Sequence, residues 1–237
     1  MGFFDKLLSD EKLPPALRER KAREARVLKE QFARSKFGEA AAASRDKRFT
    51  ATDAVLAPQA DSLFPDLPLL AVGGGGARST LHARLARGGP AGCATLVTLA
   101  FQGRGQAQLP AWHGALLEAR ERGAARGLAL LNVLLLQGWF WRAAEGVVAR
   151  SSARALHPEV ARDTHLSVHV SAMEVDHLAD RLRVHNRMMG WAFLVDGSGL
   201  VRWRAHGEPR EGEADAMLRA AATLVITSSG SGAAARN

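Results

Sequence analysis

The stretch Trp191-Ala192-Phe193-Leu194-Val195-Asp196-Gly197-Ser198-Gly199-Leu200-Val201-Arg202-Trp203-Arg204 carries the clearest hairpin signal in the chain. Two strand-like runs, Trp191–Val195 and Leu200–Arg204, flank Asp196-Gly197-Ser198-Gly199, whose glycines supply the positive φ that a short connection needs. This predicts an antiparallel hairpin. Alternation along the second run puts Arg202 and Arg204 on one face and Trp203 on the other. Two readings of the arginines stand side by side: solvated charge that protects a sheet edge, and a site for an acidic partner.

After the hairpin, Glu211–Ile226 reads as a helix with apolar Ala214, Met217, Leu218, Ala221 and Leu224. Residues 227–237 are rich in Ser, Gly and Ala and read as a disordered tail. Before the hairpin, Met173–Val184 has helical spacing and His165–Val170 alternates as a strand. Ala143–Leu156 reads as a helix, and Leu128–Leu136 as a buried strand ended by Gly138. Leu109–Arg122 has helical spacing in Leu109, Trp112, Leu116 and Leu117, while Ala94–Phe101 is a short apolar run with β-branched residues, fit for a buried strand. Two parallel strands joined by a helix, then an antiparallel hairpin and a last helix, predict an α/β fold. Its layout is a thioredoxin-like mixed sheet flanked by helices, over residues 63–226. Phe64-Pro65-Asp66-Leu67-Pro68 opens it, and Gly73-Gly74-Gly75-Gly76 is a loop without the Gly-Lys-Ser/Thr of a phosphate-binding motif.

Residues 1–62 form a basic helical arm and linker, a candidate targeting region. The first 50 residues hold 13 Lys/Arg against 8 Asp/Glu, so +5 of the chain's +8 lies there. Arginine suits a mitochondrial presequence, whereas Asp5, Asp10, Glu11, Glu19 and Glu24 do not. Nucleic acid, anionic lipid and an acidic protein surface all fit such an arm by charge. No apolar run reaches the ~20 residues of a membrane span.

In thiol enzymes of this fold the nucleophilic cysteine follows the first buried strand, at a helix N-terminus that lowers its pKa. Here Gln102-Gly103-Arg104-Gly105-Gln106 occupies that place, and Cys93, the single cysteine, precedes the strand. Redox members also place a cis-proline before the hairpin; no proline lies between Pro158 and Pro209, and Met189-Gly190 stands there. The expectation is a scaffold with no catalytic residues and no cofactor. His165 and His169 are four apart on a strand, with His177 and His185 beyond; zinc would need a third or fourth ligand nearby, and no metal site is expected. Gly138-Trp139-Phe140-Trp141-Arg142 puts three aromatics and a cation where strand passes to helix. They cannot all face inward. Trp139, Phe140, Trp141 and Arg142, with Arg202, Trp203 and Arg204, are therefore the candidate partner-binding residues.

Asn186-Arg187-Met188-Met189-Gly190-Trp191-Ala192-Phe193-Leu194-Val195-Asp196, followed by Leu200-Val201-Arg202-Trp203-Arg204 and Gly207, resembles the C-terminal signature of a mitochondrial ATP synthase assembly family. Phe64-Pro65-Asp66-Leu67, Thr95-Leu96-Val97 and Gly138-Trp139-Phe140 agree with it in order. Arg204-Ala205-His206-Gly207 departs from the small residues that often follow Arg-Trp in that family. The resemblance implies a non-catalytic chaperone of the proton-channel subunit a (subunit 6), peripheral on the matrix side of the mitochondrial inner membrane, that promotes assembly of the Fo sector. It implies neither a nucleic-acid partner nor a small-molecule substrate. The alternatives from the residues are a single-cysteine thioredoxin-like thiol oxidoreductase or peroxidase, and a basic RNA- or ribosome-binding module.

Overall fold

A computed structural model describes residues 55–58, 62–72, 76–87, 94–101, 103–125, 127–169 and 171–234, the side chains at 87, 155 and 226–234 excepted. The basic arm, Gly73–Gly75 and Cys93 lie outside the described residues.

In the interior of the sheet runs β3 (Ala94–Ala100), buried along its whole length. Parallel β4 (Leu128–Gln137) lies on one side, in register from Ala94↔Leu128 to Ala100↔Leu134. Antiparallel β6 (Gly190–Val195) lies on the other. β5 (Thr164–His169) is parallel to β4, and β7 (Val201–His206) closes the hairpin against β6. With β1 (Pro68–Ala71) and β2 (Arg78–Thr80), the sheet has seven strands in the order β2-β1-β5-β4-β3-β6-β7. The hairpin loop forms as expected: Asp196 Oδ1 accepts the N–H groups of Ser198 and Leu200, at 2.9 and 3.1 Å, and Gly199 has φ 83°.

Helices cover both faces. α1 (Leu81–Arg87) and α6 (Ala172–Arg181) share a core with Val97, Leu99, Trp191 and Phe193. α3 (Pro110–Glu121) and α7 (Glu213–Ala234) share one with Leu96, Leu194 and Trp203, the residues of opposite parity. The alternation of side chains along each strand thus assigns them to two cores. Short α2 (Gly103–Gln106) and α5 (Pro158–Arg162) sit beside strand ends. α4 (Trp139–Ala155) packs Ala149 with Leu70, Leu134 and Leu166.

Two boundaries differ from expectation by four residues or more. α4 begins at Trp139 rather than Ala143, so the three aromatics form its first turn. α7 runs on to Ala234, through residues that the composition gives to the tail. The β1–β2 hairpin and α1 are additions that the sequence pattern did not announce.

A chain of buried polar groups crosses the sheet. Thr164 Oγ1 donates to Val160 O at 2.6 Å, so it accepts from Asn132 Nδ2 at 3.0 Å. Thr98 Oγ1 donates to Asn132 Oδ1 at 2.9 Å, which leaves it to accept from His113 Nε2 at 2.9 Å. His113 therefore carries a proton on Nε2. Burial lowers its pKa to about 4.

Candidate partner-binding site

The C-terminal ends of β3 and β4 are where this layout puts chemistry. After β3, the backbone of α2 lies directly on the entry to β6. A Cβ on Gly105 would sit 2.8 Å from the Met189 carbonyl, and one on Gly190 would sit 2.4 Å from Gly105 O. Gly190 N–H donates to Gln108 Oε1 at 2.9 Å, and Gly190 O accepts from Gly207 N at 2.7 Å. Trp112 Nε1 then donates to Gly207 O at 2.8 Å. Backbone contact and the Gln108 side chain fill the space between α2 and the start of β6. The described residues contain no cis peptide.

One strand further along, the surface opens. Gly138 has φ 121°, a conformation that side-chain-bearing residues rarely adopt, and its N–H donates to His169 O at 2.8 Å. The chain then turns directly into α4, with Trp139 67% and Phe140 42% exposed. Their rings meet edge to face at 6.3 Å, and Phe140 meets half-buried Trp141 at 5.6 Å. Exposed Arg142 completes the turn. Met173, 64% exposed, projects from the first turn of α6. Arg142 and Met173 both border a groove of about 740 Å³ between α6 and residues 65–68. Nothing in the spacing of Met173 distinguishes it from a core methionine, so its place beside the aromatic corner is a product of the fold.

The structure does not bring Arg202, Trp203 and Arg204 to this corner. β7 is the far edge strand, three places from β4 in the sheet. Trp203 is fully buried, 5.6 Å edge to face from Trp112, and belongs to the core. Arg202 pairs with Asp196 at 2.9 Å and donates to Leu56 O at 2.9 Å, while Leu56 N donates to Arg202 O at 2.6 Å. Residues 55–58 thereby run along β7 and occupy part of its edge. Arg204 is half-buried, and its pKa is lowered by burial and by nearby Arg183.

The histidines separate as well. His165 is 1% exposed, and burial, with nearby Arg84, lowers its pKa to about 4. His169 lies 3.4 Å from Glu174 and 3.0 Å from Ser167 Oγ; burial lowers its pKa and Glu174 opposes the shift. His177 is exposed, and His185 meets Trp191 and His206 edge to face. Among the described residues no group of three or more His, Cys, Asp or Glu could hold a metal ion. Nor is any described helix long and apolar enough to cross a membrane.

Three parallel strands, an antiparallel hairpin and helices on both faces define a thioredoxin-like protein, and its exposed aromatic corner is a surface suited to binding. A model of the ATP10 protein family matches residues 93–224, more than half of the chain. The chain belongs to this family of ATP synthase assembly factors. No curated protein matches it. Among solved structures, yeast Sco1 is 15% identical with a TM-score of 0.47, covering 71% of this chain and 97% of Sco1. The thioredoxin domain of a thiol-disulfide oxidoreductase from Bacteroides vulgatus is 14% identical with a TM-score of 0.42, covering 70% and 99%. Copper-bound ScoI from Arabidopsis thaliana is 12% identical with a TM-score of 0.44, covering 67% and 97%.

Proposed function

We propose that the chain is a non-catalytic assembly chaperone that binds newly made subunit a of mitochondrial ATP synthase and promotes assembly of the Fo sector. Family membership supports a role in ATP synthase assembly and suggests a mitochondrial location. The observation that carries the binding role is the first turn of α4, where Trp139 and Phe140 stand in solvent beside Arg142. Leaving Trp139 67% and Phe140 42% exposed forgoes on the order of 1–2 kcal/mol of burial for each, a cost that contact with a client recovers. Trp and Arg are also the side chains that dominate protein contacts. The same corner suits peripheral contact with the matrix face of the inner membrane, where indole rings favour the interfacial layer.

The test is capture from mitochondria after pulse-labelled translation, with tagged wild-type protein and the Trp139→Ala/Phe140→Ala variant. Enrichment of newly made subunit a by the wild type, and its loss with the variant, is expected. Background levels of subunit a with folded wild-type protein would sink the client assignment.

A further inference from the structure

We infer that the groove between α6 and residues 65–68 receives an amphipathic segment of a partner protein that carries carboxylates beside its apolar side. This deepens the function proposed above, since it states the chemistry of the client segment. The groove holds about 740 Å³, room for several side chains. Its apolar surface comes from Leu67, Val168, Leu178 and Met173. Met173 is 64% exposed at its border, and an unbranched thioether adapts to varied apolar partners.

The charges around the groove decide what kind of segment fits. Of the two carboxylates, Asp66 Oδ1 accepts the His82 N–H at 2.8 Å and Glu174 lies 3.4 Å from His169 Nδ1, so each already has a contact within the chain. Arg142 and Arg181, by contrast, make no hydrogen bond or ion pair among the described residues, and both are exposed. The groove thus offers an apolar floor with two available guanidiniums, whose planar forks match carboxylates. The chain's own arm is a poor occupant, because its first 50 residues carry 13 Lys/Arg against 8 Asp/Glu. Arg142 also belongs to the first turn of α4, so a segment in the groove is continuous with the Trp139–Phe140 corner.

Two labelled peptides serve as probes: a 14-residue Leu/Ala amphipathic helix with Glu flanking its apolar stripe, and the same helix with Lys. Both are titrated against the full chain at fixed ionic strength. The Glu peptide is expected to bind about tenfold or more tightly than the Lys peptide, as one or two charge-assisted contacts provide. Arg142→Glu/Arg181→Glu should invert the preference, and Met173→Ser should weaken both peptides, with circular dichroism unchanged. Equal binding of the two peptides, or indifference to both variants, overturns the inference. So does a result in which the double variant loses only binding to anionic phosphatidylglycerol vesicles, because the guanidiniums then serve lipid. In mitochondria, capture of subunit a that survives the groove variants but not Trp139→Ala/Phe140→Ala rejects the groove and keeps the function. Absent capture by the wild type rejects the function, while the peptide titration still decides the groove.

Discussion

Acidification from pH 7 to pH 5 is expected to remove about 4 kcal/mol of folding stability, from two buried histidines. His113 and His165 are 5% and 1% exposed, and burial lowers the pKa of each from 6.5 to about 4. The unfolded chain gains protons at these positions as pH falls through about 6.5, whereas the folded chain does not until about pH 4. Protonation therefore favours unfolding in this window, and stability is complete only above it. Each group contributes a loss of about 2 kcal/mol between pH 7 and 5. His169, also lowered, adds to the loss; Asp163, raised by burial against the pull of Arg120, Arg162 and Arg84, opposes it at lower pH. A domain at the lower end of the usual range of roughly 5–15 kcal/mol would be close to unfolding near pH 4. Urea unfolding at both pH values, followed by the fluorescence of buried Trp112, Trp191 and Trp203, measures the loss. His113→Gln cannot titrate and should halve it, even though the variant starts less stable. Equal stability at the two pH values, or an undiminished loss in His113→Gln, would refute the assignment of neutral buried imidazoles.

Gly190→Ala should prevent stable folding or cost more than about 3 kcal/mol, since its Cβ meets the Gly105 carbonyl at 2.4 Å; thermal unfolding detects this. Trp203→Ala should cost about 3–5 kcal/mol by chemical denaturation, through the cavity left beside Trp112. Trp139→Ala/Phe140→Ala should change stability by no more than about 1–2 kcal/mol in the same assay, because Trp139 is 67% and Phe140 42% exposed. Arg202→Ala should cost about 1–3 kcal/mol and speed proteolysis around residues 55–58, which Arg202 fastens to β7.

Much of the central architecture can be read locally. Ala94–Ala100 and Leu128–Leu136 are apolar but for Thr95, Thr98 and Asn132 because both faces of an interior strand are covered, and that shows as a nearly continuous run. The Asp196–Gly199 connection is legible because its geometry depends on the turn's own residues. The β1–β2 hairpin is different. Arg78–Thr80 has no apolar alternation and becomes a strand only by pairing with Pro68–Leu70. Pairing of that kind is a property of two segments together, so neither shows it alone. At the aromatic triplet, sequence reasoning limits how many rings can be buried but not which. The answer depends on α4 starting at Trp139 and leaning on β5 through residues further along.

The order of the central elements, the hairpin, the missing thiol after β3 and the family are all legible locally, because they rest on residue types at fixed spacings. Tertiary structure decided the fate of the two Trp-Arg motifs. Trp203 entered the core because α3 and α7 cover its face of β7, and Arg202 was taken up by Leu56, 146 positions away. Trp139 stayed in water because no described element packs over the corner where β4 ends. Burial is a relation between distant segments of the chain, and the groove beside that corner exists only once α6, β5 and residues 65–68 have met.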